Sequence, residues 1–188
     1  MGIFLKDITL KGKTALITGA TKGLGRGAAE AIAEAGGNII AIGRNQSELN
    51  SLGKKIRKLK VKYTSFNCDV NNYSRIKKFI NNIRQLDILV NNAGTNIPET
   101  FLNVKKLSLE TILNVNTKAV FNIAQLCANR IIKLKKKQGS IINISSIFGL
   151  VAGQKRTVYS MTKFGVEGLT KGMALDLAKY NIRVKRVC

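Results

Sequence analysis

Tyr159-Ser160-Met161-Thr162-Lys163 sets a phenol and an ammonium four residues apart, on one face wherever the segment is helical. A free phenol, with a pKa of ~10, exchanges protons poorly near neutral pH. A cation beside it favours the phenolate and makes it useful in acid–base work. Taken alone, such a pair is usually just helix surface. A second candidate lies far upstream, in Thr18-Gly19-Ala20-Thr21-Lys22-Gly23-Leu24-Gly25. Small residues there let the backbone turn sharply and approach a pyrophosphate, which then sits on amide N–H groups at a helix N-terminus. An ordinary glycine-rich turn reads the same way, so the flanking elements decide. No Gly-Lys-Ser/Thr follows a glycine at P-loop spacing.

About 20 residues beyond the turn comes Ile42-Gly43-Arg44-Asn45. A carboxylate there would hold the ribose 2′-hydroxyl of NAD, whereas an Arg accommodates the 2′-phosphate of NADP. Arg44 and Lys22 therefore point to NADP, with NAD as the other choice; two surface cations in a Lys-rich chain are the plain alternative.

These residues need a scaffold, and the apolar pattern supplies one. Strand candidates are Thr14–Thr18, Asn38–Ile42, Tyr63–Asn67, Leu86–Val90, Ser140–Ile144 and Ile182–Cys188. Between them, Ser47–Leu59 and Asn72–Leu86 carry apolar residues at helical spacing. A long apolar stretch runs from about Ser108 to Lys135, and Val158–Lys179 carries Val166, Leu169, Met173 and Leu177. This alternation predicts right-handed βαβ crossovers and an α/β fold: a Rossmann-type, doubly wound parallel sheet with helices on both faces. With one Pro and no linker or repeat, residues 1–188 read as a single domain.

Composition removes other classes. The chain has no His, which excludes histidine relays and His-ligated zinc. Cys68, Cys127 and Cys188 are too far apart for a Cys-x-x-Cys site, which suits a reducing cytoplasm. Met1–Asp7 lacks a basic, then apolar, leader pattern, and no run is long enough to span a membrane. The net charge of +22 invites a nucleic-acid partner. Yet Lys outnumbers Arg 23 to 9, and the charge is spread evenly: residues 1–94 hold 16 basic and 6 acidic side chains, residues 95–188 hold 16 and 4. A reading arm or stripe would be Arg-rich and lopsided. A basic nucleic-acid binder stays as a minor alternative, favoured if salt-sensitive DNA binding exceeds NADP binding.

The glycine turn, Asn91-Asn92-Ala93-Gly94, Ser145-Ser146 and Tyr159…Lys163 occur together, in one order, on one βαβ pattern. From about Leu10 to Val187 the chain resembles the short-chain dehydrogenases/reductases. It is similar to 3-oxoacyl-acyl-carrier-protein reductases and to glucose or gluconate dehydrogenases. The resemblance implies hydride transfer between a nicotinamide cofactor and a ketone or secondary alcohol, without metal. It implies Tyr159 as the general acid/base and Lys163 as its cationic partner and ribose ligand. Ser146, thirteen residues before Tyr159, would orient the substrate oxygen, with Ser145 structural or, by a one-residue slip, the reverse. Asn116 would support a water relay through Lys163, with Asn114 the weaker candidate. Asp69-Val70 would lie beside the adenine; Asn91, Ala93 and Gly94 would close over the adenosine and steady the central strand. Thr18, Gly19, Thr21, Lys22, Gly23, Leu24 and Gly25 would hold the phosphates, with Arg44, Tyr159 and Lys163 completing the cofactor set. The resemblance also implies a small-molecule carbonyl or alcohol substrate, free or carrier-bound, and a homo-oligomer, dimer or tetramer, through the helices from Ser108 and Val158.

The pattern departs from the family at Ile182-Arg183-Val184-Lys185-Arg186-Val187-Cys188, where Lys185 replaces a usual Asn. No Pro-Gly turn, substrate-covering helix or seventh strand follows. The sequence therefore predicts a fold incomplete at its C-terminal side, its last strand an unpaired apolar edge, and keeps a non-catalytic nucleotide-binding remnant as the alternative to a working reductase.

Overall fold

The computed structural model describes residues 9–188, so the Met1–Asp7 reading lies outside it. Six strands, β1 (Thr14–Thr18), β2 (Asn38–Gly43), β3 (Tyr63–Asn67), β4 (Ile88–Asn91), β5 (Gly139–Ile144) and β6 (Ile182–Val187), form one parallel sheet in the order β3-β2-β1-β4-β5-β6. The helices are α1 (Gly23–Glu34), α2 (Gln46–Arg57), α3 (Tyr73–Asn81), α4 (Lys106–Leu113), α5 (Ala119–Lys133) and α6 (Thr157–Leu177). The doubly wound α/β architecture expected from the strand–helix alternation is the one observed.

Alternation along the strands feeds two cores, one on each face. Leu16, Ile40, Ile42, Leu89, Ile141 and Val184 face Ile76 and Ile80 of α3 and Ile123, Cys127 and Ile131 of α5. Their neighbours Ala15, Ile17, Ile39, Ala41 and Val90 face Ala29 and Ala33 of α1 and Leu49, Leu52 and Ile56 of α2. Strands covered on both sides are apolar at nearly every position, as β1 is, fully buried throughout.

Strand order reverses between β1 and β4, whose registers pair Leu16 with Leu89. A parallel sheet opens its crevice beyond the carboxyl ends of such a pair. The glycine turn leaves β1 at that point, and the Asn91–Gly94 turn leaves β4 beside it.

Two helices differ from expectation. The Asn72–Leu86 pattern is helical only to Asn81, where Asn82 donates its side-chain amide to the Lys78 carbonyl (2.8 Å) and closes the last turn. Ile83 and Leu86 still enter the core, from the connection. The Ser108–Lys135 stretch divides into α4 and α5 around a π-helical turn, Asn114–Lys118. Among the described residues no helix is long and apolar enough to cross a membrane.

Candidate active site

The glycine turn is built by close approach. Gly19 has φ of +63°, a conformation that disfavours side chains, and a Cβ there would lie 2.9 Å from Asn92 Nδ2. At Gly25 a Cβ would collide with Asn92 Nδ2 and the Gly19 carbonyl. The Thr18 hydroxyl oxygen accepts from the Asn92 and Ala93 amides, both at 3.0 Å. Asn92 Nδ2 donates back to the Thr18 (3.0 Å) and Gly19 (3.1 Å) carbonyls. The turns after β1 and β4 are thus knitted together by Asn92, a residue that sequence reading passed over; its only signal was the doubled Asn.

α1 begins directly behind this knot. Lys22 sits at its N-cap in extended conformation and provides no side-chain cap, whereas Asn45 and Asn72 cap α2 and α3. Uncapped first-turn amides and the positive end of a helix suit an anion. Ala20 N–H donates to the Ile42 carbonyl (3.1 Å), which brings the glycine turn against the end of β2. Lys22 and Arg44 follow two residues beyond each of these atoms and both are exposed. Arg44 lies 3.6 Å from the Asp69 carboxylate across the ends of β2 and β3. Asp69 Oδ1 also accepts from the Asn71 amide (2.8 Å), and Val70 packs against the core. These residues have the chemistry a dinucleotide needs: a turn closed to Cβ atoms, an open helix terminus and flanking cations.

Asn91 is buried, and its carboxamide points inward to the Val120 carbonyl (2.8 Å) and to Asn143 Oδ1 (3.4 Å). Gly94 lies against Asn116; a Cβ on it would be 3.5 Å from Asn116 Oδ1. Asn116 belongs to the π-helical turn, a geometry often found at functional sites. Its carboxamide exchanges two 2.8 Å hydrogen bonds with the Thr95 backbone and donates to Thr162 Oγ1 (3.2 Å) on α6. Asn114 is only half-buried.

α6 carries Tyr159 and Lys163. Lys163 is 6% exposed, and its Nζ donates to the Ile144 carbonyl (2.7 Å) while lying 5.6 Å from the centre of the Tyr159 ring. Burial pushes the Lys163 ammonium below the usual lysine pKa. Phe148 meets the Tyr159 ring edge-on, with centroids 6.2 Å apart. Ser146 follows β5, and its Oγ accepts from the Phe148 amide (3.2 Å), which leaves its own proton to donate. Ser145 is buried, and its hydroxyl has no partner among the described residues. The structure therefore gathers Tyr159, Lys163, Ser146 and Asn116 from the end of β5, α6 and the π turn, at the same carboxyl end of the sheet as the glycine turn. A phenol, a buried ammonium and a hydroxyl donor beside a dinucleotide cradle can give or take a proton at an oxygen while hydride moves.

Comparison with known proteins agrees. The short chain dehydrogenase family model matches residues 13–188. A 3-oxoacyl-[acyl-carrier-protein] reductase of Thermotoga maritima is 36% identical over 182 residues, covering 95% of this chain and 73% of the relative. The gluconate 5-dehydrogenase of Burkholderia cenocepacia, solved with NADP and tartrate, superposes with a TM-score of 0.89 at 32% identity, covering 97% of this chain and 72% of that one. The carveol dehydrogenase of Mycobacterium avium, solved with NAD, gives 0.88 at 25% identity, over 94% and 70%. A nicotinamide dinucleotide is the cofactor class these neighbours share with the crevice geometry, and the chain belongs to the short-chain dehydrogenase family of oxidoreductases.

Proposed function

We propose that the chain is an NADPH-dependent reductase of ketones, with Tyr159, Lys163, Ser146 and Asn116 as its working side chains. The observation that carries this reading is the buried Lys163 ammonium, fixed by the Ile144 carbonyl within 5.6 Å of the Tyr159 ring. A bound reduced nicotinamide supplies the hydride. Tyr159 gives its proton to the carbonyl oxygen as the alcohol forms, and the Lys163 charge stabilises the phenolate left behind. Ser146 donates to the same oxygen and fixes its direction. Asn116 has its carboxamide committed to Thr95 and Thr162, so any part it takes in proton resupply falls to its main-chain carbonyl.

Arg44 and Lys22 support NADPH over NADH, since a 2′-phosphate would compete with Asp69 for the Arg44 guanidinium. The relatives reduce a carrier-bound 3-oxoacyl group or oxidise gluconate by name, and a small carbonyl or alcohol, free or carrier-bound, is the class assigned here. Exposed Phe121 on α5 and Met161 and Phe164 on α6 make the apolar face assigned to a second copy of the chain.

Tyr159→Phe tests the core of this reading. NADPH oxidation against a panel of ketones and 3-oxoacyl thioesters is expected to fall at least ~100-fold, with NADPH binding within about twofold of wild type. Full turnover by the Phe variant would sink the assignment. The same titrations with NADH test the phosphate preference, and sedimentation of the same sample tests the paired state.

A further inference from the structure

α6 has an unusual underside. Its buried residues are Ser160, Thr162, Lys163, Val166, Glu167 and Thr170, and only Val166 is apolar. Hydrophobic contact is non-directional, so it cannot by itself fix the roll of a helix about its axis. Hydrogen bonds can, because they have preferred angles.

A buried chain of such bonds crosses the sheet beneath the site. Asn91 Nδ2 donates to the Val120 carbonyl (2.8 Å) and towards Asn143 Oδ1 (3.4 Å). Asn143 Nδ2 donates to Thr170 Oγ1 (3.0 Å), and that hydroxyl donates to the Val166 carbonyl (2.7 Å). The run keeps one direction: Asn91 Nδ2 donates twice, and Thr170 Oγ1 accepts from Asn143 and donates onward to Val166. Asn143 is fully buried, and Thr170 is 6% exposed. Asn143 directly precedes Ile144, whose carbonyl holds Lys163 Nζ, and Thr170 lies two helical turns beyond Lys163 on the same face of α6.

We propose that Asn143 and Thr170 are positioning residues, a clamp between β5 and α6 that sets the roll of α6 and so holds Lys163, and with it Tyr159, at the reacting oxygen. The clamp rests on the reductase reading for its catalytic consequence, but its geometry stands apart from it. Thr170→Val keeps shape and removes the hydroxyl; Thr170→Ser keeps the hydroxyl and removes a methyl. The direct readout is pulse acetylation of lysines, quantified by peptide mass spectrometry, with Lys163 compared to exposed Lys105. Thr170→Val is expected to label Lys163 at least ~5-fold faster than wild type, because the helix loosens locally. Thr170→Ser is expected to stay within about twofold of wild type. In the ketone assay kcat should drop about tenfold in Thr170→Val and recover in Thr170→Ser. A folded Thr170→Val protein that labels Lys163 at the wild-type rate would overturn the clamp. If Val prevents folding, Thr170→Ala against Thr170→Ser reads the same hydroxyl. A wild-type protein without reductase activity would instead remove the functional reading, while the labelling still decides the clamp.

Discussion

The two ends of the sheet differ in how completely they pair their buried polar groups: the carboxyl end bonds Asn91, Asn143, Thr170 and the Glu167–Arg186 pair but leaves others without a partner among the described residues. At the amino end, Asp87 is 4% exposed and fully engaged. Its carboxylate accepts from the Thr14 amide (2.9 Å) and pairs with Lys136 Nζ (3.1 Å). Its backbone bonds to Thr14 and Ser140, so one residue ties the starts of β1, β4 and β5. At the carboxyl end, Asn96 Oδ1, Thr117 Oγ1, Ser145 Oγ and Ser160 Oγ are buried with no partner among the described residues. Lys163 adds a buried ammonium whose hydrogen-bond partner is a main-chain carbonyl, that of Ile144. Unpaired buried groups cost stability, and a fold keeps them where something else requires them. One end is built to hold, the other to react.

Substitution at each end should therefore have effects of opposite sign. Lys163→Met is the largest expected effect on turnover, a loss of about 1000-fold in kcat/KM for NADPH-dependent reduction. The same change should raise Tm by a few degrees near neutral pH, since it removes a charge that burial disfavours. The pH dependence follows from the lowered Lys163 pKa. The folded state binds this proton less tightly than the unfolded chain, so its contribution to stability rises with pH from the folded pKa up to the unfolded value. The stabilising effect of Met is then greatest below the folded pKa and fades towards pH 10.5, the ordinary lysine value. Thermal melts of both proteins across that range check it, and a Tm that falls in the Met variant at pH 7 would contradict the contrast.

Asp87→Ala should do the reverse. Removing the carboxylate strands the Thr14 amide and leaves Lys136 without its partner, a loss of about 2–4 kcal/mol. Urea denaturation measures it. Specific activity per folded molecule should remain within about twofold, because Asp87 lies at the far end of β4 from the crevice. A drop in activity without a drop in stability would mean the two ends are not separable.

How much of this was legible before the structure depends on the range of the forces involved. The strand Thr14–Thr18 stands in the sequence with its observed bounds, because burial on both faces leaves a local apolar run. Tyr63–Asn67, a half-exposed edge strand, shows by its Tyr and Phe, residues that strands favour. The glycine turn is legible for a similar reason, since backbone geometry at Gly19 is a local demand. The π turn was not. Ile112, Val120 and Ala124 keep a helical rhythm through Asn114–Lys118, and the break accompanies bonds from Asn116 to Thr95, 21 residues away. α6 misled in another way. Apolar spacing selects Val166, Leu169, Met173 and Leu177, but the last three are only half-buried while polar side chains fill the underside. Asn143 and Thr170, 27 residues apart, meet only once β5 and α6 are packed.

The smallest effect tests the contrast most finely. Ser160 adjoins Tyr159 in α6, is 6% exposed, and its hydroxyl has no partner among the described residues. If the carboxyl end tolerates unpaired groups at a cost to stability, deleting this one should relieve that cost. Ala also has the better helix propensity, by about 0.5 kcal/mol. Ser160→Ala is thus expected to stabilise the protein by up to about 1 kcal/mol, against the much larger loss at Asp87. Reductase activity should stay within about twofold, since the hydroxyl is buried under the helix and not in the crevice. Urea melts resolve a difference of this size. A loss above about 1 kcal/mol would show that Ser160 has a hydrogen-bond partner in solution, and the carboxyl end would then resemble the amino end at that position.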